Sequence, residues 1–249
     1  MDLTMRKYNE NFIDIRLSPS TVYVFSVRKL LQKAIDKNLV SFRGVLLDLG
    51  CGEMPYKQYI LDNNKSVTKY IGADVDFSSY HRSVRPDLLW DGKKLNLADG
   101  SVDTVMATEL FEHVKNLEEV LGEVHRVLKP GGTVFFTVPF VWPLHETPND
   151  ECRYTPYSLE RALNKVDFNS IEIVPLGGYN AALAQMICIW IFNRQNELSS
   201  LLGKFLFSLV EKHILYPVII RLLKKDHRLN IDSYGENTMP TGFYGHAKK

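Results

Sequence analysis

Apolar positions follow two rhythms along this chain. Continuous runs at residues 44–49, 68–74, 102–107, 133–138 and 171–174 read as short strands buried on both faces, the signature of a parallel sheet. Between them apolar positions fall at helical spacing: Val24, Val27, Leu31, Ala34 and Ile35 within residues 18–40, and Leu117, Val120, Leu121, Val124, Val127 and Leu128 within 117–128. Residues 55–63 and 156–166 read as further helices, opened by Pro55 and by Thr155-Pro156. Residues 86–92 suggest one more strand, whereas 77–85 are polar and irregular. Lys129-Pro130-Gly131-Gly132 stops the helix before it. Strand and helix thus alternate, which predicts a doubly wound α/β sheet with ligands at the carboxyl ends of its strands.

The first strand runs into Asp48-Leu49-Gly50-Cys51-Gly52-Glu53-Met54-Pro55. Gly50 and Gly52 let the backbone turn sharply and approach a ligand, and the helix behind them offers unpaired N–H groups to a negative group. A nucleotide-like cofactor is expected here. Asp48 separates two classes of it. The aspartate would face the pyrophosphate of a dinucleotide at close range, and Met54-Pro55 stands where the dinucleotide fingerprint needs a third glycine. S-adenosylmethionine has no phosphate, and its ammonium and sulfonium suit a carboxylate. An acid about twenty residues on should hold a ribose. Asp74, followed by Val75, supplies it, and Asp91-Gly92 at the end of the third strand is placed for adenine.

The block Asp48-Leu49-Gly50-Cys51-Gly52, followed by Ile71-Gly72-Ala73-Asp74, resembles the class I S-adenosylmethionine-dependent methyltransferases. Residues 123–139, EVHRVLKPGGTVFFTVP, resemble the helix-loop-strand signature of their type 11 group. The resemblance covers about residues 42–170 and implies a seven-stranded Rossmann-like sheet in the order 3-2-1-4-5-7-6. Its antiparallel last strand would be residues 242–247. A single domain follows, with a core at about 42–175 and 240–248 and a helical insertion at about 179–226. The resemblance also implies a cofactor pocket of Asp48, Gly50, Cys51, Gly52, Asp74, Val75, Asp91, Gly92 and Thr108, with S-adenosyl-L-methionine as cofactor.

Methyl transfer is an in-line displacement, so residues beyond strands four and five must align the acceptor and, for some acceptors, remove its proton. Thr108-Glu109-Leu110-Phe111-Glu112-His113 follows strand four. On a helix, Glu109, Glu112 and His113 would share one face. Two readings stand. In one, His113 is a general base and the glutamates bind substrate hydroxyls or cap a helix. In the other, the three hold a divalent metal, because Glu-x-x-Glu-His resembles the metal cluster of the small-RNA 2′-O-methyltransferases and some polyprenyl-phenol O-methyltransferases. A second polar cluster, residues 143–155, contains His145, Glu146, Asp150 and Arg153, and resembles a loop of type 11 enzymes, several of them found in sugar and cell-surface polysaccharide pathways. Its plain alternative is a loop locked by Asp150 and Arg153. The expectation is His113, His145 and Glu109 as catalytic residues, with no metal. His81, His125, His213, His227 and His246 are expected on the surface or in packing.

The 249 residues are 45% hydrophobic with a net charge of +1, so the overall balance calls for no nucleic-acid partner. No basic tract or base-modification motif follows strand four. Three scattered cysteines favour a reducing compartment, and residues 1–7 lack the apolar run of a secretory signal, so a cytoplasmic protein is expected. Residues 181–192, 198–210 and 214–223 are apolar but shorter than the run of about 20 residues that spans a bilayer. A cap over the site, a homodimer face, or a peripheral surface for lipid or a lipid-linked acceptor each explains them. The expected activity is O-methylation of a sugar, glycolipid or other small hydroxylated acceptor. Its alternatives are a metal-assisted RNA ribose methyltransferase, a non-catalytic cofactor-binding protein and an NAD-dependent sugar-modifying enzyme.

Overall fold

The apolar runs become seven strands. In a computed structural model, residues 8–9, 11–76, 84–226 and 235–249 are described. The elements in chain order are α1 (Val22–Asn38), β1 (Gly44–Leu49), α2 (Lys57–Asn63), β2 (Val67–Asp74), β3 (Leu88–Leu89), β4 (Val102–Thr108), α3 (Leu117–Val127), β5 (Leu128–Pro139), α4 (Pro156–Lys165), β6 (Asn169–Leu176), α5 (Tyr179–Glu197), α6 (Leu201–Val210), α7 (Tyr216–Asp226) and β7 (Gly242–Lys248). The sheet order is β3-β2-β1-β4-β5-β7-β6, as the resemblance implied. β1 pairs in parallel with β2 and β4, β4 with β5, and β2 with β3, while β7 runs antiparallel to β5.

The order reverses between β1 and β4, and ligands of open α/β sheets bind at the carboxyl ends of the strands at such a reversal. β1 buries residues 46–49 and β4 buries Val102 and residues 104–107, which is why they read as nearly unbroken apolar runs. α3 buries Leu117, Val120, Leu121, Val124 and Val127, its predicted stripe, and Asn116 caps it by accepting from the Glu119 N–H. α4 opens with a capping box between Thr155 and Ser158, with Pro156 in its first turn.

Three boundaries differ from expectation. α2 starts at Lys57 rather than Pro55, because Met54 takes a left-handed φ of 51° and its carbonyl accepts from Lys57 in a separate turn. The third strand shrinks to two residues: Pro86 has no N–H to donate, and the Asp87 carboxylate instead accepts from the Gly72 N–H at 2.8 Å. β5 begins at Leu128, directly after α3, so Lys129-Pro130-Gly131-Gly132 lies within the strand rather than in a separate loop that stops the helix. The region at 77–83, including His81, lies outside the described residues, as do His227 and residues 1–7.

The chain divides into two compact units, one of residues 35–174 and 242–249, the other of 1–34 and 175–241. The first holds most of the sheet and every predicted site residue. In the second, Val22 and Phe25 of α1 pack with Ala184, Cys188 and Ile191 of α5 and Ile219 of α7. Asp226, at the end of α7, accepts from the N–H groups of Gly178 (2.8 Å) and Ala181 (3.2 Å), and so caps α5 from another element. Among the described residues, no helix is long and apolar enough to cross a membrane.

Candidate active site

The glycine turn sits where β1 leaves the sheet. Gly50 and Gly52 take φ of 71° and 51°, a region that side chains with a Cβ avoid. The N–H groups of Gly50 and Cys51 both donate to the Ala73 carbonyl of β2, which curls the turn over the neighbouring strand tip. The Asp74 carboxylate accepts from Gly52 (2.7 Å) and from Val75 (2.7 Å), tying the turn to the acid expected to hold a ribose. Each oxygen of that carboxylate keeps further acceptor capacity for a hydroxyl.

Asp48 lies beneath the turn, 1% exposed. The Tyr70 hydroxyl donates to its Oδ2, while Oδ1 is buried without a partner. Burial pushes its carboxyl up to about 7, against the lowering pull of the Tyr70 hydrogen bond and with a further push from Asp74. A buried acceptor without a donor, beside a turn built for close approach, fits the cationic end of S-adenosylmethionine. Cys51 is buried, and its thiol is held above its ordinary range by burial and then by Asp48 and Asp74.

Asp91 and Gly92 follow Trp90, whose N–H donates to the Asp74 carbonyl at 2.8 Å. Asp91 is exposed and closes a turn, accepting from the N–H groups of Lys93 and Lys94, which hold its carboxyl below the usual range. Gly92 takes a φ of 85° in the same turn. A two-residue β3 leaves both beyond the strand end rather than at it.

Past β4 the predicted helical face does not form. Glu109 takes a left-handed φ of 52°, and only Phe111–His113 make a 3₁₀ turn. Glu109 is turned toward β5: its N–H donates to the Thr137 carbonyl, and the Thr137 hydroxyl donates to its Oε1 at 2.9 Å. Glu109, Glu112 and His113 therefore do not share a helix face. Thr108, at the tip of β4, pairs with Thr137. Leu110 packs on the glycine turn, since a Cβ on Gly50 would come within 2.8 Å of its side chain. The cofactor turn and the segment carrying Glu112 and His113 are thus in direct contact.

Glu112 and His113 gather His145 instead. Ligand-capable atoms of the three residues all lie within 4.8 Å of one another. Glu112 is fully buried with neither carboxylate oxygen partnered, and burial, then the charge of Glu109, raises its carboxyl well above the ordinary value. The His113 Nδ1 donates to the Asn149 carbonyl at 2.9 Å, so in the neutral ring Nε2 is the lone-pair nitrogen, and it lies near Glu112 (3.8 Å) and Glu146 (3.9 Å). The His113 and His145 rings meet edge to face at 4.8 Å.

His145 is held by the lock that the sequence offered as a plain alternative. The Arg153 guanidinium grips Asp150 through two bonds of 2.6 and 2.8 Å and donates to the Cys152, Pro143 and Trp142 carbonyls. Asp150, kept well below the usual carboxylate range chiefly by that guanidinium, accepts from the His145 N–H and lies 3.2 Å from its Nδ1. Burial lowers the His145 pKa, against the pull of Asp150. The Glu112 carbonyl accepts from Glu151 and Cys152, stapling this loop to the 3₁₀ turn. The lock and the His145 site are one device. Sequence reading missed Tyr70 and Thr137, which look like ordinary strand residues.

The family model described as a methyltransferase domain, Methyltransf_11, matches residues 47–136. Thiol S-methyltransferase TMT1B of Rattus norvegicus is 31% identical over 44% of this chain and 48% of its own length. Thiol S-methyltransferase TMT1A of Homo sapiens is 28% identical over 57% of this chain and 69% of its own. The chain thus spans about half the length of the first of these relatives. Phosphoethanolamine N-methyltransferase 2 of Haemonchus contortus, solved with S-adenosyl-L-methionine, shares the fold at 16% identity and a TM-score of 0.53, over 93% of this chain and 57% of its own. Strand order, glycine turn and matched residues agree: the fold is that of a class I S-adenosylmethionine-dependent methyltransferase, and residues 47–136 match the type 11 methyltransferase domain.

Proposed function

We propose that the chain transfers a methyl group to a hydroxyl of a small acceptor, of the sugar or glycolipid class. When bound, S-adenosylmethionine supplies an electrophilic methyl on a cationic sulfur. Asp48 draws the cationic end of the cofactor to the glycine turn, and Asp74 takes hydroxyls of its ribose. Beside the turn, the His113 Nε2 lone pair accepts the acceptor's proton, and His145 and Glu112 hold the imidazole where it can do so.

The observation that carries this reading is the histidine pair with buried Glu112, joined to the glycine turn through Leu110. The two relatives by sequence named above are thiol S-methyltransferases. A thiol ionises near a pKa of about 8.5 and needs little help, whereas a sugar hydroxyl is a far weaker acid. A histidine with a fixed tautomer therefore suits oxygen better than sulfur. The test measures S-adenosylhomocysteine formation with hydroxylated and thiol acceptors side by side. His113→Gln is expected to lower transfer to oxygen by about 10²-fold or more. Turnover of thiols alone, or a His113→Gln variant as active as the parent, would overturn the assignment.

The two unpartnered Glu112 oxygens favour a second reading. One carboxylate and two imidazoles suit a divalent cation, which lowers the pKa of a hydroxyl bound to it. The ligands would be Glu112, His113 and His145, without Glu109. Calorimetric titration with Mg²⁺, Mn²⁺ and Zn²⁺ distinguishes the two readings: heat of binding that disappears in Glu112→Gln supports the cation, and no heat with any of the three removes it.

A further inference from the structure

α6 is an apolar helix with no buried residue. Leu201, Leu202, Phe205, Leu206, Leu209 and Val210 are all exposed, Leu201 at 87% and Phe205 at 59%. They fall at i, i+4 and i+8, which puts them on one side of the helix. The row at every fourth residue, from Leu202 through Leu206 and Val210, continues to Ile214 and Val218, each of them exposed. Such a row normally drifts around a helix of 3.6 residues per turn. Here Glu211–Leu215 form a π turn, whose wider winding takes up the overshoot and carries the stripe from α6 into α7.

Charge along the same segment is one-sided. Residues 201–226 contain five cationic residues, Lys204, Lys212, Arg221, Lys224 and Lys225, all exposed. The segment's two acids, Glu211 and Asp226, are buried. Glu211 accepts from Gln195 at 3.0 Å and Asp226 caps α5. Every exposed acid or base of known fixed charge on this stretch is therefore positive.

We infer that the outer face of α6 and α7 docks on an anionic lipid surface, with the apolar stripe in the acyl boundary and the five cations among the headgroups. An apolar stripe flanked by lysine and arginine is the pattern of a helix that lies in the plane of a bilayer. A second copy of the chain would bring like charges together across the same face, which disfavours a self-made dimer. The surface would place the chain where lipid-linked acceptors reside, and it stands whether or not the proposed acceptor is correct.

Flotation of the full chain with vesicles tests it, using phosphatidylcholine alone and phosphatidylcholine mixed with phosphatidylglycerol. Binding is expected to the mixed vesicles, weakening as salt is raised. Each cation neutralised among Arg221, Lys224 and Lys225 should lower partitioning about fivefold. Phe205→Ser with Leu206→Ser, both at exposed positions, should abolish flotation while leaving the circular dichroism spectrum and the affinity for S-adenosylmethionine unchanged. No flotation with mixed vesicles, or equal binding to neutral vesicles that is indifferent to the three cations, overturns the inference. So does a stable dimer in solution that dissociates in the Phe205→Ser, Leu206→Ser variant and ignores vesicles.

Discussion

Asp48 is expected to make cofactor affinity a function of pH. In the free chain its carboxyl is pushed up to about 7 by burial, from an ordinary 3.8. Below that value it is protonated, and only the ionised form attracts a cation at the turn, so binding must expel the proton. Affinity for S-adenosylmethionine is then expected to fall about tenfold per unit below pH 7 and to level off above it. Between pH 7.5 and 5.5 the loss is roughly 25-fold, or about 1.9 kcal/mol. Calorimetry in two buffers of different protonation enthalpy reads both sides of the linkage: nearly one proton released at pH 5.5 and about a quarter of one at pH 7.5. The same shift acts on the fold. Because the folded value is raised, the contribution of Asp48 to stability is complete below pH 3.8 and is lost as the pH rises through about 7. Asp48→Asn keeps an acceptor for Tyr70 and has no proton to lose. It should therefore be more stable than the parent at pH 8, by up to about 4 kcal/mol, and bind cofactor weakly at every pH. A level affinity between pH 5.5 and 7.5 with no proton release, or full affinity in Asp48→Asn, would refute the reasoning.

Two further substitutions probe the supports of the site. Gly50→Ala forces a left-handed φ on a residue with a Cβ and presses it against Leu110. It should cost about 2 kcal/mol in urea unfolding and weaken cofactor binding, because the turn and the post-β4 segment shift together. Arg153→Ala leaves Asp150, with its side chain 1% exposed, as a buried charge without its main partner. It should cost about 2–4 kcal/mol by thermal melt, and Arg153→Lys should recover little of it, since an ammonium cannot reproduce the two-pronged grip.

How much of this was readable depends on whether a neighbour along the chain or across the fold decides the outcome. β1, β4 and α3 announced themselves because burial on both faces, or on one stripe, leaves a periodic trace. The glycine turn at Gly50 and Gly52 was legible for the same local reason, as a turn has strict demands. The helical face offered for Glu109 to His113 does not form, because Glu109 takes a left-handed φ and bonds to Thr137, far along the chain. No local pattern signals that Glu112 is fully buried or that His145 closes on His113, since Asn149 and the Arg153 lock bring them together. The packing of α1 with α5 and α7 left no trace either, because all three are simply apolar on the inside.

β7 enters the sheet between β5 and β6, although both are made before it. As the chain emerges from a ribosome, one flank of β5 presents open amide and carbonyl groups until residues 242–248 arrive. At synthesis rates of about 5–20 residues per second, the hundred or so residues in between take roughly 5–20 s to make. During that interval the half-built sheet offers a sticky border to any extended segment nearby. Newly made chains are thus the vulnerable population, and a helper that shields bare strand borders during translation should raise the yield more than one added to finished, refolding protein.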